Sequence, residues 1–146
     1  MTALVLSTIG YEGATLSEVV DRLKTASVEV LIDVRAIAGS RRAGFSKTLL
    51  SATLNEAGID YLHLRGLGTP KPGRQAARAG HTAEMHAIYY EHLKTPEAQL
   101  ALEEACDVAA HRRTALLCLE ADVRQCHRAI VADLIRERTG CAVMDL

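Results

Sequence analysis

The sequence alternates short apolar runs with longer segments in which apolar residues recur at helical spacing. The apolar runs are LVLSTI, VEVLIDV, IDYLHL, TALLCLE and CAVMDL, and helical patterns such as LSEVVDRLKTA and KTLLSATLNEA lie between them. Parallel strands need crossover segments and are buried on both faces, which makes their sequences apolar almost throughout. The alternation therefore predicts an α/β fold: a single three-layer domain over residues 1–146, with a mostly parallel five-stranded sheet and helices on both faces, a Rossmann-like architecture.

Residues that favour helix ends agree with this alternation. Thr15 and Glu18 have the spacing of a capping box, and Thr95 precedes a proline, as an N-cap residue often does. Gly58 and Gly140 follow helical patterns at the position where a left-handed glycine ends a helix. These residues predict where several of the helices begin or end.

Two segments interrupt the alternation. Residues 38–47 and 65–80 are rich in Gly, Pro and Arg, and each follows a predicted strand. Both are predicted to be irregular. Loops longer than about twelve residues in a compact domain are usually functional or mobile, so residues 66–80 are a candidate lid.

Composition narrows the classes of partner. A formal net charge of −1 gives no electrostatic reason to expect a membrane surface or non-specific nucleic acid. With one Phe, four Tyr and no Trp, few side chains can stack on bases, so nucleic acid is not favoured. Four cysteines and a first segment without the pattern of a signal peptide predict free thiols in a reducing cytoplasm. No apolar run approaches bilayer length, and a homo-oligomer is left open.

Polar and charged residues follow the predicted strands at their carboxyl ends, where open parallel sheets bind ligands. Side chains alternate along a strand, so Asp33 and Arg35 share one side, as do Cys118 and Glu120. Asp33 and Arg35 are also compatible with an ordinary interior ion pair. The residues predicted to bind substrate are Tyr11, Arg35, Ser40, Arg41, Lys47, Cys126 and Arg128.

The segment CLEADVRQCHR, residues 118–128, allows three interpretations. The first is a phosphate loop, because Cys118 and Arg124 have a C-x5-R spacing after a strand, which lets loop amides and an arginine surround an oxyanion. The intervening residues argue against it. They include no glycine, and the carboxylates of Glu120 and Asp122 would repel a dianion.

The second interpretation is a zinc site. Cys118, Cys126 and His127 offer thiolate and imidazole ligands of the kind that zinc prefers. The two cysteines are eight positions apart, unlike the usual zinc knuckle. Cys126 and His127 are adjacent, so coordination of one ion by both predicts an awkward geometry.

The third interpretation is a metal-free catalytic or binding site. If the last long helix begins near Gln125, then Cys126 and His127 lie in its first turn, where the helix dipole stabilises anions and lowers the pKa of a thiol. Glu120 is then a candidate general acid or base, and Cys118 is a candidate nucleophile paired with His127. A cysteine within LLCLE is equally compatible with a small buried hydrophobic residue.

Five motifs in order, TIGYEG, LIDVR, SRRAGFSK, GIDYLHLRGLG and CLEADVRQCHR, resemble a bacterial family described as domain of unknown function 488. The resemblance covers essentially the whole chain. It implies an α/β domain, presumed enzymatic, without an established reaction. It also implies a set of signature positions: Asp33, Arg35, Ser40, Arg41, Phe45, Lys47, Cys118, Glu120, Cys126, His127 and Arg128.

These observations predict a pocket at the carboxyl ends of the strands that binds an anionic, phosphate-bearing or nucleotide-like small-molecule substrate. The expected reaction is hydrolysis or group transfer, with no particular cofactor or metal predicted. The alternatives are a noncatalytic module that binds an anion or nucleic acid, and a zinc-binding protein. The predicted catalytic residues are Asp33, Glu120, Cys118 and His127.

Overall fold

The computed structural model describes residues 4–120, 122–123 and 126–146. Within these residues five strands form one sheet. The strands are β1 (Val5–Gly10), β2 (Val30–Asp33), β3 (Asp60–His63), β4 (Thr114–Cys118) and β5 (Ala142–Asp145). The helices are α1 (Leu16–Thr25), α2 (Lys47–Glu56), α3 (Lys71–Arg78), α4 (Thr82–Leu93), α5 (Pro96–His111) and α6 (Arg128–Thr139).

The strand order is β3-β2-β4-β1-β5, and every pair of neighbouring strands is parallel. Strand β4 lies between β1 and β2, with Cys118 beside Gly10 and Leu117 beside Asp33. The prediction of an α/β fold with a five-stranded parallel sheet is confirmed.

Two apolar clusters form the core, one on each face of the sheet. Leu31 of β2 packs in a cluster with residues of α1 and α2, whereas its neighbour Ile32 packs in a cluster with residues of α4, α5 and α6. This division follows from the alternation of side chains along a buried strand. The three-layer arrangement is therefore the one that the apolar runs predict.

The predicted helix ends are confirmed. The Thr15 side chain accepts a hydrogen bond from the backbone N–H of Glu18, and Thr95 caps α5 in the same way. Gly58 and Gly140 have positive φ angles of 79° and 74° just beyond α2 and α6. These contacts satisfy backbone groups that helix ends would otherwise leave unpaired.

The segment after β3 is more regular than predicted. Residues Arg65–Leu67 form a 3-10 turn, and α3 begins at Lys71, so the interpretation of residues 65–80 as an irregular loop was wrong. The reason is the position of the helix-breaking residues. Proline is tolerated in the first turn of a helix, where Pro72 lies, because its missing N–H needs no partner there.

No helix in the described part of the chain combines the length and the apolar character needed to cross a membrane.

Gly68 brings the segment before α3 into close contact with the chain that leaves β2. A Cβ atom at Gly68 would lie 2.2 Å from Cα of Ala36 and 2.4 Å from its backbone N. Gly68→Ala should therefore lower the free energy of unfolding by about 1–3 kcal/mol, because the two backbones would have to move apart. Urea denaturation measures this change.

Gly39→Ala is the matched control. Its added Cβ would meet only the Cγ2 atom of Ile37, at the ordinary contact distance of 3.7 Å. We expect a change within about 0.5 kcal/mol. Equal losses of stability in the two variants would contradict the close contact at Gly68.

Candidate active site at the end of β4

The connections of β4 and of its neighbours leave a crevice at the carboxyl end of the sheet. Strands β1 and β2 lead to α1 and α2 on one face, while β4 leads to α6 on the other. Such a reversal is where open α/β sheets bind ligands. A cavity of about 270 Å³ lies here. Its lining residues are Tyr11, Arg35, Ala36, Ile37, Gly39, Thr69, Arg74, Ala77, Arg78, Met85, Cys118, Leu119, Glu120, Cys126 and His127.

Two thiols and an imidazole meet at the buried end of this cavity. Cys118 is the last residue of β4, and Cys126 and His127 directly precede α6. The Sγ atom of Cys118 lies 3.9 Å from Nδ1 of His127, and Sγ of Cys126 lies 3.8 Å from the same nitrogen. All three residues are buried.

The His127 ring is held from two sides. Its Nε2 atom lies 2.7 Å from the carbonyl oxygen of Val34, which assigns the hydrogen to Nε2 and directs Nδ1 at the thiols. The ring of Tyr89 in α4 packs against the imidazole, with the ring centroids 4.9 Å apart. The Tyr89 hydroxyl in turn donates to the carbonyl of Leu67 at 2.6 Å.

The two thiols have opposite pKa shifts. Burial alone would raise the pKa of Cys126, but the hydrogen bond from Cys118 and the charge of His127 outweigh burial and bring the pKa well below its usual value. The hydrogen bond to Cys126 and burial together raise the pKa of Cys118. Burial would lower the pKa of His127, yet the neighbouring Cys126 raises it.

These shifts favour Cys126 over Cys118 as the thiol that loses its proton. The sequence named Cys118 as the candidate nucleophile and Cys126 as a binding residue. The difference arises at the start of α6, where the backbone N–H of Arg128 donates to Sγ of Cys126 at 3.5 Å. Amides at a helix N-terminus stabilise a thiolate. The helix begins at Arg128, so Cys126 and His127 precede its first turn.

Glu120 extends the cluster toward the opening of the cavity. Sγ of Cys118 lies 3.5 Å from Oε2 of Glu120. Burial raises the pKa of Glu120 to about 7, and the charge of Cys126 adds to the shift. The Arg128 guanidinium donates to the backbone carbonyl of Glu120 at 2.5 Å. This hydrogen bond connects the segment after β4 to the start of α6. Glu120 can thus exchange protons near neutral pH.

Asp33 and Arg35 form a buried ion pair beside the cavity. Nη2 of Arg35 lies 2.7 Å from Oδ2 of Asp33, and Nε lies 2.9 Å from Oδ1. The Tyr61 hydroxyl also donates to Oδ2 at 2.5 Å. Nη1 of Arg35 donates to the Tyr11 hydroxyl and to the Phe45 carbonyl, at 3.1 and 2.8 Å. These are the contacts of an interior ion pair, and they fix the face that Arg35 presents to the cavity.

Residues 15–135 match the family model described as "Domain of unknown function DUF488". This match covers more than half of the sequence. The chain belongs to the DUF488 family. No curated protein and no solved structure matches it.

The cavity of this DUF488 protein brings together six of the predicted site residues. They are Tyr11, Arg35, Cys118, Glu120, Cys126 and His127. Five others do not line it in the described part of the chain. Of these, Asp33 and Arg128 are buried behind the cavity, Ser40 is half-buried, and Arg41 and Lys47 are exposed.

The C-x5-R interpretation depends on Arg124, which lies outside the described residues. Its other member, Cys118, has a raised pKa, which disfavours it as the thiolate of a phosphate loop. The described part of the loop therefore supports the Cys-Cys-His cluster as its chemical centre.

Sequence reasoning missed Arg74 and Arg78, which line the cavity from α3. Their spacing of four residues places both on one face of a helix. That signal was present in KPGRQAARAG, but the glycines and proline of the segment led to its interpretation as a loop. Recognising Pro72 as a first-turn residue would have revealed the helix and its two arginines.

Asp33→Asn should lower the free energy of unfolding by about 3–5 kcal/mol, because it leaves the buried Arg35 charge without its carboxylate. Asp107→Asn is the control, since the Asp107 side chain is 81% exposed and should change stability by no more than about 0.5 kcal/mol. Chemical denaturation of both variants measures the difference. A stable Asp33→Asn protein would show that the pair is not essential to the fold.

Proposed function

We propose that this DUF488 protein is an enzyme, a hydrolase or group transferase, that acts on an anionic small molecule carrying a phosphate or nucleotide-like group. One observation carries the proposal: proton-transferring groups and arginines line the same cavity. Cys126 and His127 lie at its buried end, Glu120 lies nearer its opening, and Arg74 and Arg78 line it from α3. A carboxyl group that exchanges protons, together with guanidiniums that bind an anion, suits hydrolysis or group transfer.

The substrate's anionic group is assigned to α3. Arg74 donates from Nη1 to the Thr69 carbonyl at 2.9 Å, which holds its guanidinium against the wall of the cavity. Arg78 follows one turn later and is exposed. Guanidinium groups bind phosphate and carboxylate through paired hydrogen bonds. Arg35 contributes less attraction, because Asp33 already neutralises its charge.

The assigned chemistry is acid–base catalysis by Glu120. Its carboxylate accepts the proton of a water molecule or an acceptor hydroxyl, whose oxygen forms the new bond to the electrophilic phosphorus or carbon. The bond to the leaving group breaks, that group takes its electron pair, and Glu120 returns the proton to it. Asp33, predicted to be catalytic, is assigned to positioning Arg35, because its carboxylate oxygens accept hydrogen bonds from Arg35 and Tyr61.

A reducing compartment such as the cytoplasm suits this site. The four cysteines are free thiols, and a disulfide between Cys118 and Cys126 would remove the thiolate. A small metabolite remains favoured over nucleic acid, because the net charge is −1 and the arginines lie in a local cavity.

Glu120→Gln should lower kcat by a factor of roughly 10² to 10⁴ on the substrate found by screening, because the amide cannot accept a proton. The screen uses nucleotides, sugar phosphates and other phosphate esters, with product detection. Glu104→Gln, on the exposed side of α5, is the control and should retain activity. Unchanged turnover in Glu120→Gln would contradict the assignment of Glu120 as the acid–base catalyst.

The noncatalytic alternative gives a different result in the same screen. A binding module would show ligand-induced thermal stabilisation without product for any compound. A nucleic-acid partner would show an affinity that falls steeply with salt, whereas a metabolite with one phosphate would show a shallow dependence. Either result would contradict the proposed enzyme.

Replacing Arg74 and Arg78 should weaken substrate binding more than it slows the chemical step. For Arg74→Gln and Arg78→Gln we expect KM to rise about tenfold each, with a smaller change in kcat, because the guanidiniums hold the nonreacting anion. Arg22→Gln is the control, since Arg22 lies on the exposed face of α1 beside Glu18. Equal KM and kcat values in all three variants would show that the anionic group of the substrate does not bind to Arg74 and Arg78.

A further inference from the structure

We propose that Cys118, Cys126 and His127 are the protein ligands of a zinc ion at the buried end of the cavity. The role of the ion in catalysis rests on the proposed function, whereas its binding does not. Zinc favours thiolate and imidazole ligands, and catalytic zinc sites commonly have three protein ligands and one open position. The three side chains meet the requirement for ligand type.

The distances between the donor atoms suit one tetrahedral ion. Zinc bonds of about 2.3 Å to sulfur and about 2.0 Å to nitrogen place two ligand atoms roughly 3.5–3.8 Å apart. In the structure, Nδ1 of His127 lies 3.9 Å from Sγ of Cys118 and 3.8 Å from Sγ of Cys126. The three ligand atoms all lie within 4.8 Å of one another. Small side-chain movements would complete the coordination.

The second nitrogen of His127 provides an independent observation. Zinc-bound histidines almost always donate their other ring N–H to a carbonyl or carboxylate, which fixes the tautomer and orients the ring. Nε2 of His127 has this partner, the Val34 carbonyl at 2.7 Å. Tyr89 packs on the ring and restricts its rotation. The imidazole is therefore preoriented with Nδ1 toward the thiols.

The adjacency of Cys126 and His127 does not prevent coordination by both. The sequence predicted an awkward geometry for two consecutive ligands. His127 avoids it by presenting Nδ1, the ring nitrogen nearer its backbone, so that its side chain need not reach past the ion. Cys126 presents its Sγ 3.8 Å from that nitrogen. The bend before α6 thus directs both atoms to one point.

Charge balance also favours a divalent cation. When both sulfurs bind a metal ion as thiolates and the imidazole is neutral, the ligands carry a charge of −2, which would be costly to bury without the cation. Zinc would neutralise this charge, and it would bind the thiols with release of their protons.

The fourth coordination position faces the cavity. Cys118, Cys126 and His127 all line this space, and Glu120 stands beside them, with Oε2 3.5 Å from Sγ of Cys118. A water molecule or a substrate oxygen in that position would be polarised by the ion. Glu120 would then accept the proton that the water releases, which makes the assigned acid–base role more specific: metal-assisted hydrolysis.

The test measures zinc in the full-length protein. Protein incubated with zinc chloride and then dialysed should retain about one zinc ion per chain by elemental analysis. Cys118→Ser and His127→Gln should lose most of it. Cys106→Ser is the matched control, because Cys106 is half-buried in α5 away from the cluster, and it should retain zinc. Glu120→Gln should also retain zinc.

Two further measurements distinguish the loss of zinc ligands from the misfolding of a variant. Cobalt substituted for zinc should give the intense absorption of tetrahedral Co²⁺ and a thiolate charge-transfer band, which weakens in Cys118→Ser. Zinc should raise the Tm of the natural protein and of Cys106→Ser, and leave Cys118→Ser unchanged. Zinc retention no greater in the natural protein than in Cys118→Ser, or a cobalt spectrum without the thiolate band, would overturn the site.

The results also separate the metal site from the proposed function. If zinc binds with these properties and the screen yields no product, the metal site stands and the enzyme assignment fails. If turnover depends on Glu120 in protein that holds no zinc, the metal site fails. The acid–base role assigned to Glu120 would then stand without a metal ion.

Discussion

Strand β4 pairs with β1 on one side and with β2 on the other, and the site depends on this arrangement. The helix after β4 lies on one face of the sheet, and the helices after β1 and β2 lie on the other. The connections therefore diverge at the carboxyl end of β4 and leave a cavity between them. The register places Cys118 beside Gly10. Val34 follows the adjacent strand, where its carbonyl meets His127. Backbone pairing in the sheet thus sets the position of the reactive groups.

Two buried polar networks meet at this edge and have different consequences. The network of Asp33, Arg35 and Tyr61 pairs its charges internally, so its main effect is to fix Arg35 in the cavity wall. The network of Cys118, Cys126 and His127 places two sulfur atoms within 3.9 Å of one ring nitrogen at the buried end of the cavity. The first network therefore supports the wall of the cavity, and the second lines it.

The residues that sequence reasoning placed correctly are those governed by local rules. Thr15 and Gly140 mark helix ends because capping depends only on neighbouring backbone groups. Arg41 and Lys47 were assigned to the site on proximity to a strand exit, but nothing local determines which way such a loop turns, and both are exposed. Arg74 and Arg78 were missed because first-turn proline and glycine resemble loop composition.

Burial on two faces requires apolar residues at nearly every strand position, so the alternation of buried strands and amphipathic helices is already determined by the sequence. The sequence also determined that CLEADVRQCHR follows a strand. Folding was needed to lower the pKa of Cys126 while raising that of Cys118, and to turn Nδ1 of His127 toward both sulfurs. Those outcomes depend on the Val34 carbonyl and the start of α6, which are distant in sequence and adjacent only after folding.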